Sequence, residues 1–349
     1  MMMDSRIWSR LPEHLLELVL SFLPLKTLLT LRSTCKHFNF LLSSPLSAFS
    51  SRRRPPLSSL ILLSHPQFSR ICPLLNAAAS SWHGASLSLP PNLSSSALVS
   101  SAGGLLCFSS PTSSCFVVCN PLSRSTRRVT FPFCPFHFEL ATLVPAPNGY
   151  KLFVLSGNAF VYDSTTESWR EYSGYNRMLN DNHHQKAALQ NGLLFFSTPE
   201  PFRVVGFHLA TGNWETLRAG LPDGLTFVRL ASDVASKLYL IGGIGNNGIS
   251  RSVKVWELGD DDRAWVEFET LPETVCRKFL SICYHNYEHV YCFWQQGCIC
   301  VCCYTWPEIL CYKVCRRTWH WLPKCPSLPE KWSCGFRCFS FGPDLYAAV

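Results

Sequence analysis

A tryptophan, replaced once by an arginine, returns through this chain at a nearly constant interval. Trp82, Arg127, Trp169, Trp214, Trp265 and Trp319 stand 45, 42, 45, 51 and 54 residues apart. Around each lies the same order of parts: an apolar strand, a loop, a second apolar strand, a turn rich in Thr, Ser, Gly or Asp, then the marker and a Leu-Pro or similar close. The clearest copies run from Lys151 to Ser173, from Gly192 to Pro222 and from Lys237 to Pro272, with fainter ones from Gly104 to Pro132 and from Val290 to Pro323. Units of this size cannot bury their own faces and must stack on one another, so the period constrains the fold more than any single residue does.

The interval is that of a four-stranded propeller blade. Short apolar and aromatic runs alternate with Gly, Pro, Asn and Ser turns from Leu57 onward, and no long helical period shows. The segment from Leu57 to Pro90, in step through Trp82, adds a sixth unit. FRCFSF and LYAAV near the end of the chain are expected to supply the strands that complete the first blade, since closure removes exposed sheet edges. Six blades are predicted, with a seventh open if those two ends belong to different blades. The unit resembles the kelch repeat, in which a strand ending in Gly-Gly is followed by a polar position and Trp. Gly242 and Gly243 keep the double glycine, and Ser156-Gly157 and Ser197-Thr198 are degenerate forms of it.

Ahead of the repeats, Leu11 to Ser44 reads as three short amphipathic helices punctuated by Leu-Pro steps. Pro12 and Glu13 suit a helix start. Leu15, Leu16, Val19, Leu20, Phe22 and Leu23 then recur at helical spacing, and Pro24 stops the run. Leu28, Leu29 and Leu31 mark a second helix, and Cys35, Phe38, Phe40, Leu41 and Leu42 a third. Segments below roughly 40 residues rarely hold a core alone, so these helices need a partner, either the rest of the chain or another protein.

Leu11, Pro12, Leu15, Leu16, Val19, Leu20, Leu23, Pro24, Leu28, Leu31, Cys35 and Lys36 match, in order, the pattern of the F-box, which this segment resembles. His14, Thr34 and Phe38 stand where the family more often has an acid, a valine and a tryptophan. The resemblance implies that these residues, with Phe38, form the surface that binds a Skp-type adaptor and through it a cullin. The layout, with GGLLCFS followed by CNPLSRSTRRVTFP, is similar to plant F-box/kelch proteins. The predicted architecture is therefore α+β in two modules: a three-helix F-box over residues 7–44, a Ser/Arg/Pro-rich linker over 45–56 and an all-β propeller over 57–349.

The net charge of +8 is concentrated at the start. Residues 1–56 carry eight Lys or Arg against three Asp or Glu, +5, leaving +3 for the remainder, which fits an acidic protein partner at least as well as nucleic acid. The apolar run from Leu15 to Leu31, broken by Glu17, Pro24 and Lys26, is too short to span a bilayer. A location in cytoplasm, nucleus or both is expected, with no membrane partner, and the 18 cysteines read as reduced thiols.

Motif matches within the repeats yield to their context. Gly243, Gly245 and Gly248 fit a dinucleotide-binding fingerprint but run into a strand, whereas that fingerprint needs a helix behind it. His285, Glu288 and His289 match a zinc-protease pattern, yet the surrounding SICYHNYEHVYCFW reads as strand, turn, strand. Twelve cysteines lie between Cys276 and Cys338; Cys298, Cys300 and Cys302 would share one face of a strand as small hydrophobes. No nucleophile, carboxylate pair or phosphate loop stands out, and no cofactor or metal is predicted. The expectation is a non-catalytic substrate-recognition subunit of an SCF-type ubiquitin ligase. Its protein substrate would meet one rim of the propeller, with Gly174 to Gln190, Ser197 to Arg203 and Gly242 to Arg251 as candidate loops and no substrate-binding residue singled out. Two alternatives stay open: a propeller scaffold outside ubiquitin chemistry, and a metal-dependent propeller enzyme.

Overall fold

The computed structural model describes residues 11–21, 23, 25–43, 59–68, 71–76, 80–88, 96–173, 186–234, 236–259, 264–328 and 333–349. Pro24, the stretch predicted as a linker and most of the Gly174 to Gln190 loop lie outside them. Three helices come first: α1 (Glu13–Ser21), α2 (Leu25–Arg32) and α3 (Lys36–Ser43). The amides of Leu15 and Leu16 both donate to the Pro12 carbonyl at 3.0 Å, so the proline opens α1 where its missing N–H is of no consequence.

Six antiparallel four-stranded sheets follow, arranged as the blades of a propeller. Blade one holds β1 (Leu60–Ser64), β2 (Ile71–Asn76) and β3 (Ser81–Ser88); blade two holds β4 (Ala97–Ala102), β5 (Leu105–Ser110), β6 (Cys115–Asn120) and β7 (Ser125–Thr130). Blade three is built from β8 (Leu140–Ala146), β9 (Gly149–Ser156), β10 (Asn158–Asp163) and β11 (Ser168–Tyr172), and blade four from β12 (Ala188–Gln190), β13 (Leu193–Ser197), β14 (Val204–His208) and β15 (Trp214–Thr216). Blade five comprises β16 (Leu225–Ser232), β17 (Leu238–Asn246), β18 (Ile249–Leu258) and β19 (Trp265–Thr270), and blade six β20 (Val290–Gln295), β21 (Cys298–Cys303), β22 (Trp306–Lys313) and β23 (Thr318–Trp321).

The last strand, β24 (Arg337–Phe341), pairs with β1 from Leu60↔Phe341 to Ser64↔Arg337 and becomes the inner strand of blade one. Closure thus joins the two ends of the repeat array, as FRCFSF predicts. LYAAV forms no strand and departs from expectation: its carbonyls are taken up by a side chain of blade two, described below, instead of by a neighbouring strand.

The ladder residues all fall on the outer strand of their blade, and four of them, Trp82, Arg127, Trp169 and Trp214, bond to a neighbouring blade. The indole N–H groups of Trp82, Trp169 and Trp214 donate to the carbonyls of Pro323, Thr130 and Ser173, each just at or past the outer strand of the preceding blade, at 2.8, 2.8 and 3.0 Å. Arg127 reaches the other way, to the Ser164 carbonyl at 3.3 Å and the Glu167 carboxylate at 3.1 Å in blade three. Both faces of a blade are buried between neighbours. On β21, Cys300 and Cys302 pack toward Ile61 and Leu63 of blade one, while Ile299, Val301 and Cys303 pack toward Val253 and Val255 of blade five.

One element departs from the all-strand expectation. Glu273–Cys283 is a helix, α4, between blades five and six, so the segment before the His285–His289 motif is neither strand nor simple turn. Cys276, Phe279, Ile282 and Cys283 are its buried stripe, and Leu-Pro-Glu at 271–273 opens it as Leu-Pro-Glu opens α1. Strand-rich surroundings and small cysteines at core positions mask that helical spacing.

Candidate functional site

The two sides of the disc differ. In blades two to six the first-to-second and third-to-fourth strand turns share one face, while second-to-third turns and blade-to-blade connections share the other; in blade one no turn joins β24 to β1. α1–α3 lie against the first face at blade two. Leu16, Leu20 and Leu41 are buried in a small cluster with Leu23, Leu31 and Phe38 around it and Tyr346 of the C-terminal segment packed against them. Arg32 donates to the Leu122 carbonyl at 3.3 Å in the third-to-fourth turn of blade two.

Asn120, at the end of β6, holds this arrangement together and is fully buried. Its Nδ2 donates to the carbonyls of Asp344, Leu345 and Ala347 at 2.9, 3.3 and 3.0 Å, and its Oδ1 accepts from the amides of Leu122 and Ser123. A side-chain amide can satisfy both kinds of partner at once, so one residue shapes the turn and anchors the tail. Gly104, at φ +80°, completes the fit: a Cβ there would come within 2.6 Å of Cβ of Asp344.

The sequence-predicted adaptor residues divide accordingly. Leu16 and Leu20 turn inward, and Leu11, Leu23, Leu31 and Phe38 are half-buried. Pro12, Leu15, Val19, Cys35 and Lys36 are exposed, Leu28 lies within α2, and Pro24 is outside the described residues. Leu15, Leu18, Val19 and Phe40 retain 40, 44, 39 and 69 % of their surface in solvent. Leu18 and Phe40 belong to this apolar group although the family pattern does not mark them. Their helical spacing carries the signal. Each large side chain of this kind, if fully buried on a partner, would contribute about 1.5–3 kcal/mol.

The opposite face carries Ser197 to Arg203, the turn of the β17–β18 hairpin within Gly242 to Arg251, and α4. The first is braced by Thr198, whose hydroxyl accepts from the Arg203 amide at 2.8 Å. The hairpin tip is tied to the segment after α4, with the Ser250 amide donating to the Tyr287 hydroxyl at 3.0 Å and His285 Nδ1 2.6 Å from the same oxygen. Gly243 and Gly245 lie in β17 and Gly248 in the turn, a hairpin with no helix behind it. His289 stacks on Tyr304, ring centroids 5.9 Å apart. Beyond the hairpin, Tyr284 projects with 84 % of its surface exposed.

α4 is clamped to blade six by charge. The buried Glu308 carboxylate on β22 is gripped by Lys278 of α4 and, at 3.0 Å, by Lys324. Lys278 also lies 4.1 Å from the centroid of the Trp321 ring. Burial raises the Glu308 carboxyl, but hydrogen bonds and charge from the two lysines outweigh it and hold the group below the ordinary carboxylate range.

The cysteines of the described residues are free thiols. Burial pushes Cys72 and Cys292 up to about 12 and Cys298 up to about 11, which keeps them protonated and poor as nucleophiles or metal ligands. Among the described residues no three His, Cys, Asp or Glu side chains are grouped to hold a metal ion, and no helix is long and apolar enough to cross a membrane.

Helices at the start and a closed six-bladed ring after them define an F-box protein with a β-propeller. The F-box domain model matches residues 8–49. An F-box/kelch-repeat protein of Arabidopsis thaliana is 51 % identical over 99 % of this chain and 90 % of its own length, and this chain belongs to the F-box/kelch-repeat family. Protein ABERRANT PANICLE ORGANIZATION 1 of Oryza sativa subsp. japonica is 26 % identical over 98 % of this chain and 90 % of its own. Protein UNUSUAL FLORAL ORGANS of Arabidopsis thaliana is 23 % identical over 93 % and 80 %.

Proposed function

We propose that this protein is the substrate-recognition subunit of an SCF-type E3 ubiquitin ligase. Its N-terminal helices seat on a Skp-type adaptor, which links it to a cullin, and the propeller face bearing α4 receives a protein substrate for ubiquitination. The observation that carries this reading is the exposed apolar group of Leu15, Leu18, Val19 and Phe40, on helices matched by the F-box model and on the face opposite α4. The reading asks for no catalytic group in this chain. A receptor acts by holding its target near a conjugating enzyme on other subunits, which raises effective concentration through geometry. Such a subunit works in the cytoplasm, the nucleus or both.

The test is affinity purification of the tagged full chain from plant cells, beside a variant with Leu15→Asp and Val19→Asp. The intact chain should retain a Skp-type adaptor and a cullin, and the variant should lose both while its thermal unfolding midpoint stays within a few degrees. Recovery of neither protein with the intact chain, or undiminished recovery with the variant, sinks the reading.

A further inference from the structure

The inner strands β24, β4, β8, β12, β16 and β20 surround an axial cavity of about 550 Å³. That size lies within the range of small-molecule sites, roughly 300–1,000 Å³, and the wall is mostly apolar, with Val99, Leu140, Leu230 and Phe339 in it. Lys186 enters this space from the segment leading into β12 of blade four. Its ammonium reaches the opposite side of the ring, donating to the Cys338 carbonyl on β24, and lies 4.0, 4.8 and 5.0 Å from the ring centroids of Phe339, Phe293 and Tyr291.

A carbonyl and three aromatic rings solvate a cation without neutralising it. An ammonium has three donors, and a single carbonyl uses one. Burial, with repulsion from a second cation, Arg337, lowers the ammonium to about 8 against the opposing pull of the Cys302, Cys338 and Cys300 thiols. Arg337 also lines the cavity, donating to the Leu98 carbonyl at 3.5 Å. Glu139 is the acid in the wall, on the connection into β8.

We propose that the axial cavity binds a small amphiphilic carboxylate, its apolar body against the inner strands and its carboxylate on Lys186 with Arg337 alongside. Charge complementarity selects the head group: a bound anion would give the ammonium a charged partner where its contacts are a carbonyl and three aromatic rings. The enclosing wall selects the body, since a fully hydrated anion would gain nothing from displacing water there. The inference goes beyond the ligase reading and does not depend on it, because it concerns the full chain alone.

The experiment is isothermal titration of the purified full chain with 1-naphthoate, beside the neutral 1-naphthalenemethanol. One-to-one binding of 1-naphthoate, at least tenfold tighter than the alcohol, is expected. Lys186→Met should weaken 1-naphthoate at least tenfold and leave the alcohol unchanged, and Lys186→Arg should restore most of the affinity. Thermal unfolding of each variant, with a midpoint near that of the parent, shows that loss of binding is not loss of fold. Absence of saturable binding, or equal binding by the Met variant, overturns the proposal. Inorganic phosphate displacing 1-naphthoate as effectively as benzoate does, at matched ionic strength, overturns the amphiphilic part of it.

Discussion

Asn120 and Ala347, 227 positions apart, are joined by a 3.0 Å hydrogen bond from the side-chain amide of one to the carbonyl of the other. Through it the end of the chain is laid along blade two, where Tyr346 meets the helices carrying the exposed leucines. The pair thereby ties the tail that meets the N-terminal helices to the ring.

Asn120→Ala should therefore do more than remove one contact. It strands three tail carbonyls and the Leu122 and Ser123 amides, and buried groups left unpaired cost about 1–3 kcal/mol. Denaturant unfolding should show a loss of that size. Hydrogen exchange should speed up at residues 344–347 and in α1 before it does so in the blades; uniform protection would contradict the anchoring role.

The grip on Glu308 predicts a pH dependence. Its carboxyl is held below its unfolded value, so its contribution to stability is present at neutral pH and above the ordinary carboxylate range. That contribution fades as pH falls through the folded-state value. Glu308→Gln should cost about 1–3 kcal/mol at pH 7, below the range for fully buried pairs because both lysines are half-exposed. The gap between parent and variant in urea melts should narrow as pH falls below the ordinary carboxylate range; a constant gap would disprove the assignment.

Gly243 answers to packing. A Cβ there would lie 2.5 Å from Oγ1 of Thr226 and 2.7 Å from a ring carbon of Phe227. Gly243→Ala should destabilise the ring by about 1–3 kcal/mol, the usual range for overpacking. Its neighbour Gly248 sits in open space at φ +72°, so an alanine there should act through backbone strain alone. Thermal melts of the two variants check the contrast.

Thiol counting tests the burial of the cysteine tract. Cys35, Cys134, Cys315 and Cys334 are exposed, and most of the rest are buried. Titration with a disulfide reagent at pH 8 should show four fast thiols in the native protein, with the remainder reacting only in guanidinium. Fast reaction of Cys300 or Cys302, identified by mass spectrometry, would place the β21 face in solvent.

Much of the architecture was legible because blades repeat. Trp82 through Trp319 mark the outer strand of each unit; their spacing points to six blades, with a seventh left open, and FRCFSF near the chain's end points to a first blade completed from there, as β24 does against β1. The N-terminal helices were legible from Leu-Pro steps and apolar spacing, and the family from the residues themselves. α4 was not, since Cys276 and Cys283 blur a helical stripe among strand-like neighbours. The inward turn of Leu16 and Leu20, against the outward one of Leu15 and Val19, also escaped, because apolar spacing marks a stripe without saying which edge a neighbour covers.

By itself the sequence determined what repeats: strand alternation, turn chemistry and the interval between markers are local properties, and a closed ring is the arrangement that leaves none of those units with a bare edge. Only the tertiary structure decided what converges. Asn120 meeting the chain's end, Lys278 and Lys324 sharing Glu308, and Lys186 crossing the axis to Cys338 join residues far apart in the chain. Contacts of that kind leave no periodic trace, because they depend on where closure of the ring brings distant segments together.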